Sequence, residues 1–167
     1  METNGASQVE PQEQSRQLGG KYLTFQLGEE QFGLEILKVR EIIGVLDVTK
    51  VPQTASFVRG VINLRGKVIP VMDLRLRFGL PWREDDERTC TIVVEVGEAD
   101  GHRRLMGIVV DQVREVVSVR DEDVEKTPSF GVELDTAYIL GMAKLEGGVK
   151  ILLDIDRVVA DSQLVLG

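Results

Sequence analysis

The sequence predicts an all-β fold, a pair of small antiparallel barrels, and three observations carry that prediction. Short apolar runs with period-two alternation recur along the 167 residues, glycine-bearing turns separate them, and one pattern of runs and turns occurs twice. The clearest unit is Gly60-Val61-Ile62-Asn63-Leu64-Arg65-Gly66-Lys67-Val68-Ile69-Pro70-Val71-Met72-Asp73-Leu74. Its two runs flank Arg65-Gly66-Lys67, where Gly66 supplies the positive φ of a tight reversal. Ile62 and Leu64 fall on one face, for the core, while Val61, Asn63 and Arg65 fall on the other.

The second copy of this hairpin lies 81 residues on, where Gly60 meets Gly141, Leu64 meets Leu145, Gly66 meets Gly147, Val68 meets Val149 and Asp73 meets Asp154. An upstream segment repeats at a spacing of 74, with Phe32-Gly33 over Met106-Gly107 and Val39-Arg40-Glu41 over Val113-Arg114-Glu115. One longer loop between Val117 and Tyr138 absorbs the difference between the spacings. Together the matches indicate an internal duplication.

Composition sets the limits. Two units of about 60 to 70 residues bury little surface by themselves, and the single Cys90 cannot staple either, so the halves are expected to share an interface. Without a signal peptide or a long apolar run, a soluble protein of a reducing cytoplasm is expected, with no membrane insertion. A net charge of −8, with no basic cluster longer than Arg103-Arg104, argues against nucleic acid or an anionic membrane as the main partner.

Taken in order, residues 1–20 are polar, closed by Gly19-Gly20, and expected to be a disordered tail. The first barrel is expected over 21–81. Leu23, Phe25 and Leu27 alternate into a turn at Gly28, and Phe32, Leu34 and Ile36 return from it. Val39, Ile42 and Ile43 suit a helical turn leading into a strand as well as a continued strand. Val51-Pro52 breaks the run, and Asp73 caps a short helix over Leu74, Arg77 and Phe78 that ends at Gly79. Residues 82–88, rich in charge, are expected to be a solvated linker. The second barrel is expected over 89–167, with an opening hairpin around Asp100-Gly101, with Thr127-Pro128 standing where Val51-Pro52 stood, and with a C-terminal helix capped by Asp154 that places Ile155, Val158, Val159 and Ser162 on one face.

No catalytic constellation is found. His102, the only histidine, sits in a predicted hairpin loop, and Cys90 at a strand start is most simply a small core residue lacking a partner base. One His and one Cys make no zinc site. Asp121, Asp123 and Glu125 alternate as in a calcium loop, but Lys126 replaces its glycine and Val132 its bidentate glutamate. Neither Gly20-Lys21 nor Gly147-Gly148 fits a phosphate-cradling loop. No cofactor, no metal and no enzymatic activity are expected.

What remains is a surface, and the duplication sharpens it. Positions kept in both copies serve the barrel, whereas positions that differ are free to serve a partner. Arg65 answers to Glu146 and Asn63 to Lys144, so the first hairpin has a polar identity that the second lacks. Arg40-Glu41 recurs as Arg114-Glu115, which leaves Glu41 open between a partner contact and a structural pair with Arg40.

The run from Gly60 to Leu74, with Phe32-Gly33-Leu34-Glu35-Ile36, Val39, Glu41 and Gly107-Ile108-Val109-Val110-Asp111, resembles the CheW family of bacterial chemotaxis coupling proteins and the related regulatory domain of the histidine kinase CheA. The resemblance covers Lys21 to about Val159. It implies two tandem five-stranded SH3-like barrels forming one CheW-like domain, and a non-catalytic adaptor that couples the cytoplasmic tip of methyl-accepting chemoreceptors to CheA and helps assemble signalling arrays. The family's receptor contacts carry over to Val39, Glu41, Gly60, Asn63 and Arg65, with Val39 as an apolar centre and Arg65 beside it. A kinase contact at an apolar end of the first barrel implies Ile43 and Val45. The alternative reading is a coupler of a non-flagellar chemosensory pathway, such as surface motility.

Overall fold

The protein is described by a computed structural model over residues 17–97, 100–125 and 136–160. The predicted segments Thr127-Pro128 and Ser162 lie outside these residues, as does the tail up to residue 16. The fold is all-β, with eleven strands and two single-turn α-helices among the described residues.

The first half supplies β1 (Gly20–Leu27), β2 (Glu30–Glu35), β3 (Val39–Gly44), β4 (Val58–Leu64), β5 (Lys67–Asp73) and α1 (Leu74–Arg77). The second supplies β6 (Cys90–Gly97), β7 (Arg103–Val110), β8 (Gln112–Val119), β9 (Val124–Glu125), β10 (Ile139–Leu145), β11 (Gly148–Leu153) and α2 (Ile155–Val158). The ambiguity at 36–43 resolves as a 3₁₀ turn over Ile36–Lys38 followed by β3. Asp73 caps α1 as predicted, accepting from the Arg75 and Leu76 amides, and Asp154 caps α2 by accepting from Arg157 N.

Two sheets follow, with strand orders β3-β6-β7-β5-β4 and β8-β1-β2-β11-β10-β9. Each curls into a barrel because the chain beyond its first edge strand crosses to its last. After β3, Thr49 bridges Val61 on β4, and after β8, β9 pairs with β10 through Val124–Ala143. The duplication is visible in space: the parallel pair Val71–Gly107 of β5 and β7 matches Leu152–Gly33 of β11 and β2 at the repeat spacings.

The barrels are not consecutive halves of the chain, which corrects the boundaries 21–81 and 89–167. Hairpin β1–β2 leaves its own half and inserts between β8 and β11, while β6–β7 inserts between β3 and β5. Burial explains the exchange. Leu23, Phe25 and Leu27 join Ile92, Val94 and Val96 in one core between the sheets, whereas Tyr22 and Val93 point the other way, each into the core of one barrel. Strands buried on both faces satisfy the central core and a barrel core at once.

That central core decides the energetics. Among the described residues it holds 17 buried apolar side chains, against 5 inside the first barrel and 4 inside the second. At about 1.5–3 kcal/mol for each buried large apolar side chain, most of the hydrophobic stabilisation lies at the joint. The expected shared interface is therefore the principal core. Leu18 and Gly19, within the predicted tail, are held in place, because Tyr22 Oη donates to Leu18 O at 2.6 Å and Gly19 N donates to Asp121 Oδ1 at 2.6 Å.

Candidate functional site

Three of the predicted residues, Glu41, Asn63 and Arg65, gather at one end of the first barrel, and a bulge in β3 aims Glu41 toward it. Val39 pairs with Val94 and packs against the central core; the register then slips, so Glu41 pairs with Val93 and shares a face with Ile43, which packs inside the first barrel. One extra residue thus turns Glu41 to the barrel mouth. On the opposite edge of the sheet, Arg65 (φ 51°) and Gly66 (φ 89°) form the tip of the β4–β5 hairpin. Asn63 Oδ1 holds that tip by accepting from Gly66 N at 2.8 Å.

Across the mouth the Arg65 guanidinium pairs with the Glu41 carboxylate. Arg40, the extra residue of the bulge, pairs instead with Glu95 at 2.6 Å. The structural pair Arg40–Glu41 raised by the repeat is therefore absent, and Glu41 belongs with Arg65. The Arg65 side chain stays 70% exposed, so most of its donors face outward while one edge holds Glu41.

Gly60 stands apart from the others. It is buried at φ 141°, and a Cβ there would run into the Thr49 carbonyl, the group that closes the barrel by accepting from Val61 N at 2.9 Å. Its place is beneath the site, not on its surface. Of the two residues implied for the kinase contact, Ile43 is half-buried and only Val45 is exposed. Val45 is joined by exposed Leu46, which no sequence pattern singled out, and by exposed Val68 of the repeated hairpin. Leu46 and Val68 line one shallow groove with Asn63, so this apolar end adjoins the polar mouth.

The sequence reading also missed a cluster of arginines and aspartates that welds the halves together. Arg75, 1% exposed, donates to Asp73 at 3.0 Å, to Asp111 at 3.2 Å and to Asp85 at 3.2 Å. Arg59 bonds Asp73 at 2.9 Å and Asp85 at 2.8 Å, and Arg83 reaches Asp111 at 3.1 Å. Hydrogen bonds from Arg59 hold the Asp85 carboxyl below the usual aspartate range. Burial alone would raise Asp73, but the donors of Arg75 and Arg59 prevail and lower it. Residues 82–88 are mostly exposed, yet Asp85 makes them an anchored strap and not a free linker. A signal was available: Arg75 has no counterpart in the second copy, where Asp156 stands in its place.

The candidate catalytic groups are not brought together. His102 is exposed beside Asp100, and the Cys90 thiol donates to Arg88 O at 3.2 Å.

Comparison with known proteins agrees with this architecture. Residues 21–163 match the profile of the CheW-like domain. The chain is 39% identical over 149 residues to the chemotaxis protein CheW of Klebsiella aerogenes, covering 89% of this chain and 87% of that protein. It is 33% identical over 140 residues to the CheW of Rhizobium meliloti, covering 84% and 87%. Among solved structures it resembles the scaffolding protein TtCheW from Thermoanaerobacter tengcongensis, with a TM-score of 0.77 at 34% identity, covering 87% of this chain and 96% of that one. With the duplicated barrels, the hairpin motif and these relatives in agreement, this chain belongs to the CheW-like family of chemotaxis coupling and scaffold proteins.

Proposed function

We propose that this protein is a non-catalytic adaptor of the cytoplasm. It holds the cytoplasmic tip of a methyl-accepting chemoreceptor and the regulatory domain of the histidine kinase CheA, helping to assemble arrays in which receptor occupancy alters kinase autophosphorylation. The two barrels act as one binding unit, because the central core couples them. The observation that carries the reading is the exposed Glu41–Arg65 pair at a barrel mouth, a pairing that the second copy, with Glu115 and Glu146, cannot make. A receptor hairpin offers a helical surface, for which Arg65, Glu41 and Asn63 supply polar contacts beside Val39. Gly60 supports this site from below. The kinase domain is assigned the apolar end at Val45, with Leu46 and with Ile43 beneath.

The experiment is calorimetric titration of the protein with a soluble receptor tip and, separately, with the kinase's regulatory domain, each repeated with Arg65→Glu. Binding to both partners, with only the receptor arm weakened, is expected. Unchanged receptor affinity in a folded Arg65→Glu protein would remove Arg65 from the contact, and absence of binding to either partner would end the adaptor reading.

A further inference from the structure

The two barrels carry opposite charge at their mouths. In the first, Arg40, Lys67, Arg103 and Arg104 line a groove of about 530 Å³ together with apolar Pro70 and Leu105. Among the described residues Glu95 is the one carboxylate lining it, and it already accepts from Arg40 at 2.6 Å and lies 3.9 Å from Arg103. Lys67 makes no ion pair among the described residues, and Arg103 is 65% exposed. The groove adjoins the candidate site, since Val68 lines both it and the groove that holds Asn63, whose side chain fixes the Arg65-Gly66 tip.

Cations on a solvated rim are ordinary, so the second barrel serves as the internal control. The repeat spacings that superpose Gly33 on Gly107 and Leu152 on Val71 place Glu29 and Glu30 at the positions of Arg103 and Arg104, and Gly148 at that of Lys67. Glu146 replaces Arg65. With Glu41, Asn63 and Arg65 included, the first mouth presents five cations and two carboxylates among the described residues, and the equivalent positions in the second present three cations, Arg114, Lys144 and Lys150, and four carboxylates, Glu29, Glu30, Glu115 and Glu146. The same barrel is thus built with either sign, so the fold does not require the positive mouth. In a chain of net charge −8, a concentrated cationic groove marks a surface that meets negative charge.

We infer that this groove is a second recognition element of the receptor contact, and that it takes a carboxylate-bearing segment of the helical tip alongside the Glu41–Arg65 pair. The inference rests on the adaptor reading above. Arginine forks beside apolar Pro70 and Leu105 suit carboxylates carried on a helix, whose stems lie on the apolar side chains while their heads reach Arg103 and Lys67. The groove raises the rate of encounter and fixes the register of the tip, and the mouth pair reads it.

The test titrates a soluble receptor tip into the wild-type protein, into the Lys67→Glu/Arg103→Glu double variant and into Arg114→Glu, which makes the same kind of reversal at the second mouth. Each titration is run at about 50 and about 300 mM NaCl, with the kinase regulatory domain as a parallel arm. The double variant is expected to bind the tip about tenfold more weakly at low salt, with a flatter salt dependence, while Arg114→Glu and the kinase arm stay at wild-type values. Lys67→Gln is expected to give a smaller loss in the same direction, and it preserves the test if the double variant does not fold. Unchanged tip affinity overturns the inference, as does an equal loss in both arms. Should sedimentation show self-association of the wild type that the double variant loses, with tip affinity unchanged, the groove belongs to the acidic mouth of a second copy. A wild-type protein that binds no tip removes the adaptor reading and this inference with it, whereas one that binds the tip independently of the groove removes only the inference.

Discussion

Arg75 Nη1 lies 3.2 Å from Asp111 Oδ1, tying α1 of the first half to the corner between β7 and β8 of the second. Both side chains are nearly sealed from water, at 2% and 5% exposure, and Asp111 also accepts from Gly28 N at 2.8 Å in the turn between β1 and β2. Three separate pieces of chain, at Arg75, Gly28 and Arg83, therefore converge on the Asp111 carboxylate. Arg75→Met would leave Asp73 and Asp111 buried without their main cation, and a loss of about 3–5 kcal/mol in unfolding free energy is expected from urea titration. Arg83→Met removes a 54% exposed partner of the same Asp111 and is expected to cost less than about 1 kcal/mol. Equal losses in the two variants would mean that burial is not what gives the Arg75 contact its strength.

The same cluster fixes how stability responds to acid. Asp85 and Asp73 both have folded-state values below the usual aspartate range, through hydrogen bonds to Arg59 for Asp85 and, against the opposing effect of burial, to Arg75 and Arg59 for Asp73. The unfolded chain binds protons on these groups first, at about pH 4, so their contribution is complete above that pH and is lost as pH falls through the lowered folded values. Their share of the unfolding free energy should be flat from about pH 5 to 8 and decline below about pH 4. Asp85→Asn should be less stable at neutral pH and show a shallower decline in acid, measured by urea unfolding at a series of pH values. A decline as steep as the wild type's would mean that other carboxylates govern the acid limb.

Gly60 should behave as a structural residue in every assay. Gly60→Ala puts a Cβ against the Thr49 carbonyl at φ 141°, and a destabilisation of about 2 kcal/mol or more is expected in thermal or urea unfolding. Both partner arms should weaken together as the folded fraction falls. A stable Gly60→Ala protein that lost the receptor tip alone would return this position to the contact surface.

The hairpins, both helix caps and the two-barrel plan were legible because each rests on local chemistry: alternation, a glycine at the reversal, an aspartate before a turn of helix. Asn63 and Arg65 were legible as a polar identity because a second copy in the same chain lacked it, whereas Glu41, repeated as Glu115, was left open. Three things were hidden. The bulge between Val39 and Glu41 shifts faces without any sequence mark, so the Glu41–Arg65 pair could not be told from an Arg40–Glu41 pair. Asp85 looked like one charge among several in a polar strap, since nothing local shows that Arg59 and Arg75 close over it. The exchange of hairpins was hidden because Leu23 to Leu27 and Ile92 to Val96 are buried on both faces, and alternation says which residues share a face without saying which strand lies alongside.

That exchange makes its own prediction about how the protein can be divided. Cut at the strap, residues 1–81 would keep β1–β2 but lose its neighbours β8 and β11, while residues 89–167 would lose β1–β2 from the middle of their sheet. The central core would be split as well, with Leu23, Phe25 and Phe32 on one piece and Ile92, Val94 and Ile108 on the other. Each fragment alone is expected to lack cooperative unfolding and dispersed amide resonances, because neither can complete a sheet or bury its share of the joint. Mixed in equal amounts, they are expected to recover native-like circular dichroism and a single unfolding transition, since both missing hairpins are then supplied in trans. A fragment that folds by itself would show that consecutive strands can close a barrel unaided, and the exchanged topology would then be one of two arrangements open to this sequence.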